Sequence, residues 1–240
     1  MKGIRIDWKY AATELVVIVA GVLIALAVDS WRQGVQERRA ADDYLARVEQ
    51  DLQVSLEEIG VATRMFRAAR EHARAVIPYI RDPALPISDT AGFVASLYHT
   101  TRSATPDVQS RTYDELRATG HLRLLTTSGR DIVAYYTDTD RFLGGWNHDI
   151  SVHRDLIRGI IPPDIQAEIR AACPTERTAP LQCGVEVDAS LAADVIRVVR
   201  GNEQVLRNLH LYSQQVDLWL GILDRVERRT RGLALRLSEG

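Results

Sequence analysis

TELVVIVAGVLIALAVDSW, residues 13–31, decides how the chain is read: Glu14 opens the apolar run, Asp29 closes it, and no charge lies between them. From Ala11 to Val28 the run is 18 residues with Glu14 its only charge. As a helix that is roughly 27 Å, enough to cross the hydrocarbon core of a bilayer. Trp8 and Tyr10 at one end and Trp31 at the other stand where an interfacial aromatic belt belongs. Glu14 falls one turn inside the helix start, where the macrodipole favours a carboxylate and headgroup water is within reach. An intramembrane functional carboxylate is the alternative reading of the same residue. Gly21 and Ala25 form a small-xxx-small pair on one face, of the kind that lets two membrane helices approach closely.

The sequence therefore predicts a short cytoplasmic tail over 1–10, an uncut transmembrane anchor over 11–29 and a periplasmic helical domain over 30–240. Lys2, Arg5 and Lys9 precede the run, and Arg32, Arg38 and Arg39 follow it, so the flanks are nearly even in positive charge. An N-terminus inside the cell is the expected orientation in an inner membrane. The rival is a secretory signal with Leu15–Ile24 as its apolar region and a cut after Ala25-Leu26-Ala27. Against it, Glu14 abuts that region and the helical pattern runs on through the cut site.

Beyond the membrane the pattern changes to heptads. Leu45, Val48, Leu52, Ile59, Ala62, Phe66, Ala69, Ala73, Val76 and Ile80 recur at alternating spacings of three and four, with Arg, Glu and Asp between them. Ser55 interrupts the series, with Leu56 beside it to compensate. No proline precedes Pro78, so the membrane helix is free to continue into this one, and Pro78, Pro83 and Pro86 are expected to bend and end it. A second stripe runs Val205, Leu209, Tyr212, Val216, Trp219, Leu223, Val226, Thr230, Leu233, Leu237. Two long helices, about 32–81 and 203–237, are expected to pair antiparallel, with shorter helices between them. Arg225, Arg228, Arg229, Arg231 and Arg236 would then lie near Glu37, Asp42, Asp43 and Glu49, contacting either anionic headgroups or the first helix.

Between the long helices, Ser88 or Asp89, Thr105-Pro106, Thr127 or Ser128, Pro163 and Asp188 read as helix starts. Gly120, Gly144-Gly145, Pro162 and Gly201-Asn202 read as stops or kinks. No strand alternation appears, and the expected class is all-α. Low aromatic content and abundant Ala, Leu, Val and Arg agree with that.

ELVVIVAGVLIALAVDSW and TYDELRATGHLRLLTTSGRDIVAYY (112–136) together resemble a family of bacterial, single-pass, membrane-anchored helical proteins catalogued as a domain of unknown function. The residues carrying the resemblance are Glu14, Gly21, Leu23 to Leu26 and Trp31, then Tyr113, Leu116, Gly120, Leu122, Leu124, Tyr135 and Tyr136. It implies an envelope location and an uncut anchor, and brings no catalytic residues with it. Read physically, the second patch is a helix face, a left-handed exit and leucines filling an apolar gap, which is packing.

Chemistry has few places to reside. Cys173 and Cys183 enclose PTERTAPLQ, and a disulfide there would close a small loop in an oxidising compartment. Their spacing is wrong for a redox pair. WNHDISVHRD (146–155) is the densest polar cluster, with His148, Asp149 and His153 as weak metal-ligand candidates; polar helix-surface residues near a kink account for the same letters. No P-loop, dinucleotide, G-x-S-x-G or H-E-x-x-H motif is present. With 30 basic and 32 acidic residues the chain offers no field for nucleic acid. Cofactors and catalysis are not expected. The expected partners are the lipid bilayer and a protein, another copy included. The leading expectation is a membrane-anchored periplasmic scaffold or interaction module. The alternatives are a ligand-sensing bundle acting through a transmembrane partner and a metal-dependent enzyme using the 146–155 cluster.

Overall fold

The computed structural model describes residues 8–144, 150–173 and 185–239, and every regular element among them is helical. α1 spans Trp8–Arg81, 74 residues or roughly 110 Å of continuous helix. Pro78 lies in its last turn, where the Arg74 carbonyl loses its usual N–H donor, and the helix nevertheless passes through it. The N–H of Asp82 then donates to the carbonyl of Pro78 (3.0 Å), and the Asp82 carboxylate accepts from the N–H of Ala84 (2.9 Å), turning the chain out. The remaining elements are α2 (Thr90–His99), α3 (Arg111–Thr119), a 3-10 turn (His121–Leu125), α4 (Thr126–Leu143), α5 (Ile150–Ile160), α6 (Pro163–Ala172), α7 (Ala189–Val199) and α8 (Glu203–Ser238).

Asp89, Asp188 and Pro163 start helices as expected, whereas α4 begins at Thr126 without a side-chain cap, ahead of the expected Thr127 or Ser128. Asp89 accepts from the N–H of Gly92 and Asp188 from those of Ser190 and Leu191; Asn202, read from the sequence as a stop, also caps α8 by accepting from the N–H groups of Gln204 and Val205. Pro163 opens α6 at its first turn. Gly120 ends α3 at φ 72°, the left-handed conformation that costs any other residue a Cβ clash.

α1 and α8 form an antiparallel hairpin. At its distal end the N–H of Gly201 donates to the carbonyl of Ile80 (3.1 Å), and midway Arg70 pairs with Asp217 (3.0 Å). At the other end Leu233 and Leu237 join Tyr44, Val48 and Leu52 in one cluster. The predicted stripes are the buried ones, with one shift: Tyr44, not Leu45, takes the first buried position on α1.

Two cores flank this hairpin. A distal core joins α1 from Ile59 to Ile80 with α2, α5, α6, α7 and α8 from Val205 to Val226. A proximal core joins α1 from Tyr44 to Leu52 with α3, the 3-10 turn, α4 and the end of α8. The cores part at the two polar steps in the stripes, Ser55 on α1 and Thr230 on α8, both fully buried. Ser55 was expected to be compensated by Leu56, but it occupies the core position itself. Its hydroxyl donates to the carbonyl of Asp51 (2.7 Å) and accepts from the N–H of Gln109 (3.0 Å). Thr230 donates to the carbonyl of Val226 (2.8 Å) and meets the Tyr135 hydroxyl at 2.9 Å.

That arrangement corrects the reading of Thr105-Pro106 as a helix start. Residues 102–110 are irregular, and α3 begins at Arg111. The segment crosses from one core to the other, and α1 supplies the hydrogen bonds a helix would have supplied. Besides the Ser55 contact, the Asp51 carboxylate accepts from the N–H of Thr112 (3.0 Å), and the Tyr136 hydroxyl donates to the carbonyl of Gln109 (3.0 Å). The arginines of α8 are corrected too. Arg229 and Arg236 pair with Asp138 and Asp131 of α4, and Arg228 and Arg231 pair within α8, rather than with the acidic residues of α1.

Candidate functional site

The N-terminal end of α1 carries the most exposed apolar surface in the molecule. Leu15, Val17, Leu23, Ile24, Leu26 and Trp31 are 60–66% exposed. This helix near the N-terminus is long and apolar enough to span a membrane, and none of its most apolar window is buried by the rest of the chain. A core helix of a soluble domain would be covered; this one is bare, and each such side chain left in water forgoes roughly 1.5–3 kcal/mol of burial. Gly21 and Ala25 are exposed with it, and a Cβ added at Gly21 would meet nothing within 4 Å. Trp8, Tyr10 and Glu14 lie on the same helix, with side chains outside the described residues.

Between this span and the bundle, α1 runs as a stalk. From Asp29 to Arg39 only Gly34 and Val35 are partly covered, because α8 ends at the level of Tyr44. From Val28 to Tyr44 is roughly 24 Å along a helix.

A polar clasp closes the proximal end of the bundle. Tyr44 donates to Glu115 (3.1 Å) and meets Nδ1 of His121 (3.0 Å), while Arg47 forms an ion pair with the same Glu115 and lies over the Tyr44 ring. The hydrogen bond from Arg47 holds the Glu115 carboxyl below its usual range. The segment 112–136 packs here. Tyr113 and Tyr136 stack at 4.5 Å, and Leu125 is buried as the 3-10 turn enters α4.

The distal core contains a polar layer. His153 is buried at 3% exposure and stacks on Tyr212 at 4.3 Å. The Thr100 hydroxyl donates to the carbonyl of Leu97 (2.7 Å), so it accepts from Nε2 of His153 at 2.8 Å. Nδ1 of His153 is then left bare and without a hydrogen-bond partner. Protonating it would bury an unmatched cation, and burial lowers its pKa to about 4. His99 lies 4.9 Å from His72 and 3.6 Å from Sγ of Cys173. Burial, then the charges of His72 and Arg102, push its pKa down to about 3.

His153 is thus a packed core residue, while His148 and Asp149 lie outside the described residues. Among the described residues no three His, Cys, Asp or Glu gather as a metal site would require. Cys173 is buried at the end of α6 and is not a free thiol. Its expected partner, Cys183, lies outside the described residues. A groove of about 520 Å³ runs between α4 and α8, lined by Arg225, Arg229, Arg236, Asp131, Asp138 and Tyr135. The clasp and the α4–α8 pairs join residues far apart in sequence, and no local pattern announced them. Family models, curated proteins and solved structures offer no match to this chain.

Proposed function

We propose that the chain is a membrane-tethered helical scaffold, held by residues 11–29 and projecting its bundle from the lipid surface on a helical stalk. The observation that carries this reading is the continuity of α1, whose bare apolar end and buried core stripe belong to one uninterrupted helix. A lateral push or rotation at the bundle is transmitted along such a rod, which suits a spacer or an interaction module. We place the bundle in the periplasm and the N-terminus in the cytoplasm, as the resemblance to envelope proteins implies. A Cys173–Cys183 disulfide closing the loop after α6 belongs to the same proposal, since an oxidising compartment favours it. A protein partner, another copy included, is the proposed cargo of the scaffold.

Expressed full-length protein and a form lacking residues 1–31 should be compared for membrane fractionation and for proteins retained in mild detergent. The full chain should pellet with membranes and keep its associates; the shortened chain should be soluble and lose those that depend on membrane position. Equal partition of the two forms would end the proposal. Digestion of the bundle by protease added to spheroplasts tests the orientation, and protection there would reverse it.

A further inference from the structure

Where the chain leaves α2, three arginines gather on one turn. Arg154 of α5 donates from Nε to the carbonyl of Thr101 (3.2 Å) and from a terminal nitrogen to the hydroxyl of Ser103. Arg158, one turn further along α5, donates from Nε to the Thr101 hydroxyl (3.1 Å), and its guanidinium lies over the Tyr98 ring. Arg102 belongs to the turn itself, close enough to Arg158 and Tyr98 to feel their charges. All three are partly buried. No carboxylate pairs with any of them among the described residues, although seven other arginine–carboxylate pairs are described elsewhere in the molecule.

Gathering three cations with no paired carboxylate among the described residues opposes folding. The phenols of Tyr98 and Tyr212 and the imidazole of His99 lie close to these arginines, and none of them is a carboxylate. Burial and the neighbouring Arg158 both disfavour the charge on Arg102. Donors remain available. Nε of Arg158 is engaged while its two terminal nitrogens are not, Arg102 makes no side-chain hydrogen bond in the described chain, and Ser103 accepts from Arg154 with its own O–H left to donate. Forked guanidinium donors match the oxygens of a phosphate or sulfate, and three of them match a charge of minus two better than a single carboxylate.

We infer that Arg102, Arg154 and Arg158, with Ser103, bind a doubly charged tetrahedral oxyanion, either free phosphate or the phosphate of a larger monoester, at the junction of α2 and α5. The site lies on the distal bundle, away from the membrane span, and stands whether or not the tether does.

Thermal unfolding of the full-length protein in mild detergent, followed by helical circular dichroism at pH 7, tests this with sodium phosphate, sulfate, glycerol phosphate, acetate and chloride at matched ionic strength. Phosphate at a hundredfold excess over its Kd should raise Tm by about 5–10 °C, with sulfate similar and acetate no better than chloride. A response to phosphate but not to glycerol phosphate would identify the free ion; equal responses would identify the monoester group. Arg102→Gln, which loses no described hydrogen bond, should keep or raise the anion-free Tm and abolish the gain. Arg158→Lys should fold and keep only part of it. A drop in anion-free Tm for Arg102→Gln would mean that the protein already supplies the counter-charge, and would overturn the inference. So would a full phosphate gain in that variant, or equal gains from all salts.

Discussion

Ser55 shows how a single polar residue can organise a core. Its place in the stripe was visible as a gap, but its partner, the N–H of Gln109, is 54 positions away, and no spacing rule links them. Ser55→Ala removes the acceptor and leaves the part-buried N–H of Gln109 unmatched, so it should cost about 1 kcal/mol in denaturant unfolding. A loss below about 0.5 kcal/mol would mean that the crossing segment is not held there. The buried histidines give a pH signature. In the folded chain His153 titrates at about 4 and His99 at about 3, whereas unfolded histidine titrates near 6.5. Below 6.5 the unfolded state binds protons that the folded state refuses. Stability is therefore full above about pH 7 and falls steadily towards the folded values. At pH 5 the loss is on the order of 2 kcal/mol per histidine. Replacing His153 with Phe, which keeps a ring against Tyr212, should flatten part of this slope between pH 7 and 5, whatever the variant's absolute stability. An unchanged slope would contradict the buried, neutral assignment. At sequence level, His153 looked like a possible metal ligand only because its neighbours were polar.

The elements were legible wherever one helix face decides burial. The α1 and α8 stripes repeat too regularly to serve anything but a long seam, and Asp89, Asp188 and Pro163 announce their helices by local chemistry, whereas Asn202, read as a stop, turns out to cap α8. Thr105-Pro106 announced one just as clearly and was overridden. Asp51, Ser55 and Tyr136 satisfy the backbone from outside, so the segment has no need of helix. The arginines of α8 could not be assigned because their partners sit on α4, which the sequence does not place beside them. The left-handed exit at Gly120, φ 72°, was legible and makes a clean test. Gly120→Ala should destabilise by about 1 kcal/mol, read as a lower denaturant midpoint with unchanged slope. A neutral result would mean that the α3 exit relaxes to another conformation.

The whole molecule is a rod with two cores near one end and a bare apolar segment at the other. The buried residues of both cores begin at Tyr44, with Ala41 packed against the proximal one, so folding of the bundle does not call on the span. A chain beginning at Ser30 should therefore be soluble, helical and cooperative in unfolding. A molten or aggregated product would mean that the anchor contributes to the fold. What the sequence left open at this scale was whether the apolar run stays. The bare surface from Leu15 to Trp31 argues for a lipid partner, and a signal peptide would carry the same surface until it is cut. Intact-mass analysis of native protein from alkali-washed membranes separates the two most directly. The tethered account predicts one membrane-retained species that still carries residues 11–29. A water-soluble species beginning at Val28 would contradict it.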